Sequence, residues 1–463
     1  MSDFHRAAEA ALADETLHAA LAGMETGFVA ARARAVARLP EFERLRDAAR
    51  DIKDHVLGHL DAYLERFAAE VTARGGSVHW CADAKAARET VLAICREAGA
   101  TTVTKSKSMI SEEIGLNDFL AANGVTPVET DLGEYIVQLA HEPPSHIIAP
   151  AIHKTQAQVA ELFAAHHGSH PDPGDARALL DEARAVLRAK YFAAGVGITG
   201  ANFLVAETGS VVVVTNEGNA DLTQVLPPVH VVVTSIEKIV PTLEDAAAIL
   251  RVLARSATGQ EFSTYTTVTT GPKRPEDADG AAHFHVVLLD NGRSEILGGP
   301  FGDILRCIRC GACLDHCPVY MAIGGHAYGS VYSGPMGAVL SPALDGLARH
   351  HDLPNASTLC GRCESVCPVR IPLPALLRRW RMRAFAERLT PPRQRLALGL
   401  WGWFARRPRL YRRAAALAIA VLSGLAGGRG RFSRLPGAGG WTAARDLPAP
   451  EGGTFLDQWR ARR

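Results

Sequence analysis

Seven of the chain's nine cysteines fall in two runs that share one spacing. The first, CIRCGACLDHCP, follows C-x2-C-x2-C-x3-C-P with Cys307, Cys310, Cys313 and Cys317. The second repeats it from Cys360, Cys363 and Cys367, and Ser357 stands where Cys307 stands in the first. Thiolates this close on a tight turn reach three irons of one cubane cluster, while the fourth cysteine of the run ligates the other cluster. Gly311 and Gly361 let the backbone pass close to inorganic sulfide, and Pro318 and Pro368 redirect the chain and bring no amide donor. One such run would also suit zinc; two, each closed by proline, point to two iron–sulfur clusters. Crossing the ligands gives Cys307, Cys310, Cys313 and Cys367 to one cluster, and Cys317, Cys360 and Cys363 to the other. The second set is one thiolate short. A 4Fe–4S cluster there needs a last ligand such as Ser357 Oγ, water or a partner's side chain, whereas a 3Fe–4S cluster needs none. His316 reads as a neighbour of the site, not a ligand.

The rest of the composition bounds the setting. At 463 residues, 47% hydrophobic and 21% charged, the chain has room for several domains with cores of their own. The first twenty residues carry no apolar run before a small-residue cleavage site, so no secretory signal is read and the thiolates belong in a reducing, cytoplasmic setting. The formal charge of +1 hides an asymmetry: from Arg378 to Arg434 fifteen arginines face one acid, Glu387. Such a basic end belongs against something anionic. No nucleic-acid recognition motif accompanies it. The apolar run 414–427 is too short to span a bilayer. With Trp401 and Trp403 upstream it suits packing on the cysteine region or a partner, or peripheral contact with the inner face of a membrane.

Along the chain, residues 1–70 are helical by periodicity, with charged faces turned to solvent. From 71 to 300, β-branched runs (SVHWC, TTVTKS, SHIIAP, FLVAE, SVVVVT, HVVVTS) alternate with helical patterns such as AKAARETVLAICREAG and TLEDAAAILRVLARSA. That alternation predicts an α/β domain with a mainly parallel sheet, and FLVAETGSVVVVT predicts an antiparallel hairpin turning at Thr208-Gly209. Cys81 and Cys95 lie in this region and read as core residues. Residues 301–385 hold the cysteine runs around a helical spacer. Residues 386–463 are Arg- and Trp-rich and then Gly/Pro-rich, and GGRGRFSRLPGAGG is expected to be partly disordered.

Several stretches together resemble the lactate-utilisation iron–sulfur protein B family over nearly the whole chain. TKSKSMISEEIGLNDFL, ETDLGEYIVQL, PSHIIAPAIHK, GITGANFLVAETGSVVVVTNEGN and RSATGQ resemble its LUD domain. The two cysteine runs, with serine in the fourth place of the second, resemble its ferredoxin-like part, and GGTFLDQWRARR resembles its short Trp-containing tail. The spacer also resembles the helical ferredoxin modules of succinate and glycolate dehydrogenases. The resemblance implies a LUD fold similar to CoA transferases and ribose-phosphate isomerases, followed by an α-helical ferredoxin-like module with two clusters, most readily 4Fe–4S. It also implies a role in oxidising L-lactate to pyruvate beside a cysteine-rich A protein and a LUD-only C protein, as one subunit of an oxidoreductase complex. Lactate comes from the resemblance; the spacing itself says only electron transfer.

Other motifs carry less. Gly195, Gly197 and Gly200 match G-x-G-x-x-G, but a helical pattern precedes them and a strand follows, the reverse of a dinucleotide fingerprint. An open α/β sheet binds ligands outside the carboxyl ends of its strands. The polar groups expected there are Lys105, Ser106 and Lys107, with Glu207, Thr208, Asn216, Glu217 and Asn219 around the hairpin. His141, His146 and His153 suggest a base on a hydroxy acid, but clustered histidines around proline residues are more often satisfied loop residues, and none is assigned that role. The alternative function is a LUD enzyme acting alone on a small carboxylate or an acyl-activated or phosphorylated substrate, with clusters that are structural or regulatory.

Overall fold

Short β-branched runs and amphipathic helices alternate from Ser77 to Leu289 and assemble a parallel sheet covered on both faces. The structure, a computed structural model, describes residues 3–169, 172–435, 439–442 and 445–462. Its strands are β1 (Ser77–Cys81), β2 (Thr102–Lys105), β3 (Thr126–Glu129), β4 (Val196–Thr199), β5 (Phe203–Val205), β6 (Ser210–Thr215), β7 (Val229–Ser235), β8 (Ile239–Val240), β9 (Tyr265–Thr269) and β10 (His283–Leu289). Six form the main sheet in the order β1-β10-β7-β4-β2-β3, every pair parallel. β7 runs through its middle and is buried over its whole length, as a strand with helices on both faces must be. Val231 and Val233 join one apolar layer with Val103, Ile198 and Val287. Val232 joins the opposite layer with Phe67, Val71 and Phe284, following the period of two.

The remaining strands form a smaller sheet, β8-β5-β6-β9. The predicted hairpin is present as antiparallel β5 and β6. Its turn needs Gly209, which sits at φ 63° with a Cβ position 2.6 Å from the Val71 amide. One expected strand is absent: SHIIAP (145–150) is a tight loop, because His146 Nδ1 accepts from the amides of Ile148 and Ala149, both at 3.1 Å. β4 lies inside the GVGITG stretch, and Gly197 is required there because any Cβ would meet the Thr223 carbonyl. No helix follows β4 directly, so the dinucleotide context is indeed missing.

The N-terminal helices correct a second expectation. Phe42–Leu57 buries the stripe Phe42, Arg46, Ala49, Lys53, Val56 and Leu57. Arg46 and Lys53 are 4% and 2% exposed, so these charges point inward and not to solvent. Lys53 donates to the carbonyls of Glu237 and Ile239. Arg32 donates to the Val366 carbonyl at 3.1 Å, and Arg370 pairs with Glu43 and Asp47.

These contacts converge on one buried charge system. Glu237, at the end of β7, directs Oε2 to Arg293 at 2.9 Å and Oε1 to Arg309 at 3.3 Å. Arg293 also meets Glu113 at 2.6 Å, and Glu113 accepts from the Tyr332 hydroxyl at 2.6 Å. The Arg309 guanidinium lies 4.9 Å over the Tyr332 ring. Residues up to Ala384 form one unit, and this network lies inside it.

Phe385 onward forms a second unit. It contains helices Pro392–Ala405 and Pro408–Ala426, and a two-stranded pairing of Arg431–Phe432 with Leu447–Pro448. Part of the stretch expected to be disordered is thus in a strand; residues 436–438 of it lie outside the described residues. The second helix and the turn after it run from Pro408 to Arg429, 22 residues, long and apolar enough by length and composition to cross a membrane. The run 414–427 alone is shorter, but Arg409, Arg412 and Arg413 are good helix formers and extend it.

Burial alone would raise the Glu237 pKa, but Arg293 and Arg309 outweigh it and bring it to about 2. That lies below the unfolded value of about 4.3, so the stabilisation is fully present above pH ~4.3 and is lost as pH falls towards 2. Glu237→Gln leaves two buried guanidiniums short of a counter-charge and should cost about 3–5 kcal/mol. Thermal melts followed by circular dichroism should show a lower midpoint at neutral pH and a flatter decline over the acid window.

Candidate functional site

The two cysteine runs fold into the same local turn. Arg309 and Leu359, each two residues after the first motif position, have φ of 58° and 55°, and Gly311 and Gly361 have φ of 74° and 85°. The Arg309 amide donates to Cys307 Sγ at 3.4 Å, and the Leu359 amide donates to Ser357 Oγ at 3.1 Å. Each glycine then opens a short helix, Ala312–Asp315 or Arg362–Val366. Ser357 therefore keeps the turn that Cys307 makes. Its carbonyl is also held, accepting from Arg381 at 2.7 Å.

Cys307, Cys310, Cys313 and Cys367 line one cavity, walled by Ile147, Met336, Val369 and Ile371. Cys317, Cys360 and Cys363 are not part of its lining. Cys367 is presented from the second run by Arg46, which donates twice to its carbonyl at 3.0 and 2.8 Å, while the Ile371 amide donates to its Sγ at 3.3 Å. Burial pushes the Cys367 thiol up to about 11, with Cys307 adding to it. Burial and the neighbouring thiols also raise Cys310 and Cys313. Four thiolates in so apolar a cavity need a cationic partner. An iron–sulfur core supplies one, so this donor set fits it.

The other three cysteines interact among themselves. Burial pushes Cys363 up to about 12, and both Cys317 and Cys360 contribute. Cys360 is exposed, and the Arg362 amide and Thr358 hydroxyl hold its thiol below the ordinary range. His316 is buried, with Nδ1 against the Ala312 carbonyl at 2.9 Å. Cys81 and Cys95 lie in the core, away from both groups.

Beside the four-cysteine cavity lies a crevice of about 550 Å³ at the carboxyl ends of β2, β3, β4 and β7. Ile147 and Arg309 belong to the walls of both. Of the polar groups expected at a crevice, Ser106, Lys107, Asn216, Glu217 and Asn219 line it. Lys105 does not; the last residue of β2, it is fully buried, 2.7 Å from Glu129 and 2.9 Å from Glu112. Glu207 and Thr208 are also elsewhere, accepting from the Leu243 amide and donating to Ser210 Oγ, each at 2.8 Å. No histidine lines the crevice among the described residues. His146 Nε2 faces Asp315 at 3.1 Å and His153 Nε2 faces Glu142 at 2.7 Å, while His141 is exposed. Sequence reasoning passed over Lys238 and Arg309, which do line it. Lys238 follows the strand pattern HVVVTS by three residues, the position where an α/β sheet places its ligand groups.

Residues 64–289 match the LUD domain and residues 303–371 match the 4Fe-4S dicluster domain. Lactate utilization protein B of Geobacillus thermodenitrificans (strain NG80-2) is 43% identical over 99% of this chain and 97% of its own. The chain belongs to the lactate utilization protein B family. Its namesake in Bacillus licheniformis is 42% identical over 98% of this chain, and the uncharacterized electron transport protein YkgF of Escherichia coli (strain K12) is 41% identical over 98%. A solved DUF162 family protein from Deinococcus radiodurans covers 50% of this chain and 98% of its own at 13% identity, with a TM-score of 0.28, too low to bear on the fold. The family thus joins a parallel-sheet LUD domain to a helical dicluster region, and the dicluster domain carries two 4Fe–4S clusters.

Because a thiol can accept the Leu359 amide as Cys307 accepts that of Arg309, Ser357→Cys should leave the melting temperature nearly unchanged. The expected result is an altered EPR spectrum for one reduced cluster only. An identical spectrum would mean that position 357 faces no cluster.

Proposed function

We propose that this protein is the iron–sulfur electron-transfer subunit of a complex that oxidises L-lactate to pyruvate. The observation that carries the ligand assignment is the cavity lined by three cysteines of the first run and the last cysteine of the second. On this reading Cys307, Cys310, Cys313 and Cys367 hold one cluster, and Cys317, Cys360 and Cys363 hold the other, with the corner at Ser357 open to a non-thiolate ligand. The names of the relatives support lactate utilisation, and that of the Escherichia coli relative supports electron transport.

Oxidation of a hydroxy acid releases two electrons, and clusters held by these cysteines would supply one-electron acceptors. The residues of the chain set the conditions for that exchange. Amide donors from Arg309 and Ile371 reach Cys307 and Cys367 sulfur, which stabilises the more negative, reduced state. The first cavity is small and mostly apolar and shares Ile147 and Arg309 with the crevice, whereas Cys360 of the second set is exposed. Those positions support the order crevice, buried cluster, exposed cluster, acceptor. A cysteine-rich A protein and a LUD-only C protein are the proposed partners, in the cytoplasm, and the basic second unit is the proposed contact with a partner or the inner membrane face.

The crevice itself favours a second reading, a LUD enzyme acting on a small carboxylate without partners. Anaerobically purified protein should not turn over L-lactate with an artificial acceptor; activity in that assay defeats the subunit role. Cys367→Ala should damage the cluster of the first run, and Cys317→Ala that of the second, by EPR and iron content. Loss confined to the cluster nearest in sequence overturns the crossed ligation.

A further inference from the structure

We infer that the crevice is a binding site for aliphatic monocarboxylates, with the Lys238 ammonium as the group that receives the carboxylate. The cations of the lining are Lys107, Lys238 and Arg309, and its acids are Asp131 and Glu217. Lys107 meets Asp131 at 3.1 Å and also donates to the Ile148 carbonyl at 2.9 Å. Arg309 is matched by Glu237. Lys238 is left over. It is 6% exposed, and among the described residues its ammonium makes no hydrogen bond or ion pair. Glu237 and Cys307 both attract it without a hydrogen bond or ion pair to its ammonium, and Glu237 directs both carboxylate oxygens at Arg293 and Arg309. A buried ammonium without a hydrogen-bonded partner is costly, and an incoming carboxylate removes that cost. Burial lowers its pKa to about 7, which is the behaviour of an ammonium short of such a partner.

The same lining selects among anions. One uncompensated cation matches one negative charge, and Asp131 and Glu217 repel a second, so a monocarboxylate is favoured over phosphate. The walls are largely apolar, with Ile136, Ile148, Val213 and Leu253 among them, and the volume lies in the range of small-molecule sites. A three-carbon acid fills only part of it. Each further buried methylene should therefore tighten binding about threefold to fourfold. Through the shared wall of Ile147 and Arg309, the ligand lies next to the four-cysteine cavity. The inference rests on the proposed role in lactate oxidation for its choice of acids, and deepens it by naming the residue and the breadth of the substrate class.

Isothermal titration of the anaerobic full chain with pyruvate, L-lactate, 2-oxohexanoate and inorganic phosphate tests it. Saturable binding of all three acids is expected, tightest for 2-oxohexanoate and weakest for phosphate. Lys238→Met should weaken binding of the acids at least tenfold with iron content and EPR spectra unchanged, and Lys238→Arg should restore most of it. Ser263→Trp, in a loop at the crevice wall, should block 2-oxohexanoate more than pyruvate and decides the matter if Lys238→Met does not fold. No saturable binding by the wild type, or unchanged binding in a folded Lys238→Met or Ser263→Trp protein, overturns the inference. Tighter binding of phosphate than of pyruvate also overturns it. Because EPR reports the clusters independently, absent carboxylate binding with normal spectra sinks this site and spares the relay, while missing clusters with normal binding do the reverse.

Discussion

One buried carboxylate, Glu237, governs how the parts of this protein meet. It lies at the end of the central strand of the sheet and holds Arg293, from just past the last strand, and Arg309, from inside the first cysteine run. Its own carbonyl accepts from Lys53 of the N-terminal helices. Three segments far apart in sequence are thereby fixed against one another by groups that cannot be separated without stranding a charge in an apolar interior. The cysteine region is consequently anchored to the sheet by its own turn, not hung from it by a linker.

Arg309 shows how much is asked of that turn. Its backbone is left-handed, its amide points at Cys307 sulfur, and its side chain crosses to Glu237 and Tyr332. A non-glycine residue at positive φ persists only where its surroundings over-determine it. Here the surroundings are the ion pair on one side and the cysteine on the other. Leu359 repeats the backbone without the ion pair, and Ser357 repeats the hydrogen bond without the sulfur. The second run is thus the same scaffold with one chemical function removed.

Much of this was legible in the residues alone. The duplicated spacing carries its own geometry, and alternation of β-branched runs with helical periods led to the parallel sheet. Where the reading failed, tertiary context was responsible. SHIIAP has the composition of a strand, but a histidine ring satisfies its amides locally. β3 and β4 are four residues long, and one carries Pro127 while the other hides in a glycine motif, so neither shows a period. β10, with its unbroken VVLL, did carry a readable signal. Arg46 and Lys53 look like solvent charges in a helical wheel, because nothing local says that carbonyls wait for them across 321 or 184 residues. Lys238 is inconspicuous for the same reason: its isolation is a property of the fold.

The interleaving of the two runs also constrains how the chain is made. The four-cysteine cavity cannot close until residue 367 has left the ribosome, and the helix carrying Arg46 must find the carbonyl of that same residue. Contacts of such long sequence separation form late and slowly. The LUD sheet is complete by Leu289, and the N-terminal helices that pack on it through Phe67, Val71 and Lys53 precede it in the chain, so both can assemble during synthesis, while the four-cysteine cavity waits for the second run. Until then three thiols of that cavity lack the fourth, so any cluster that takes all four is completed only late in translation.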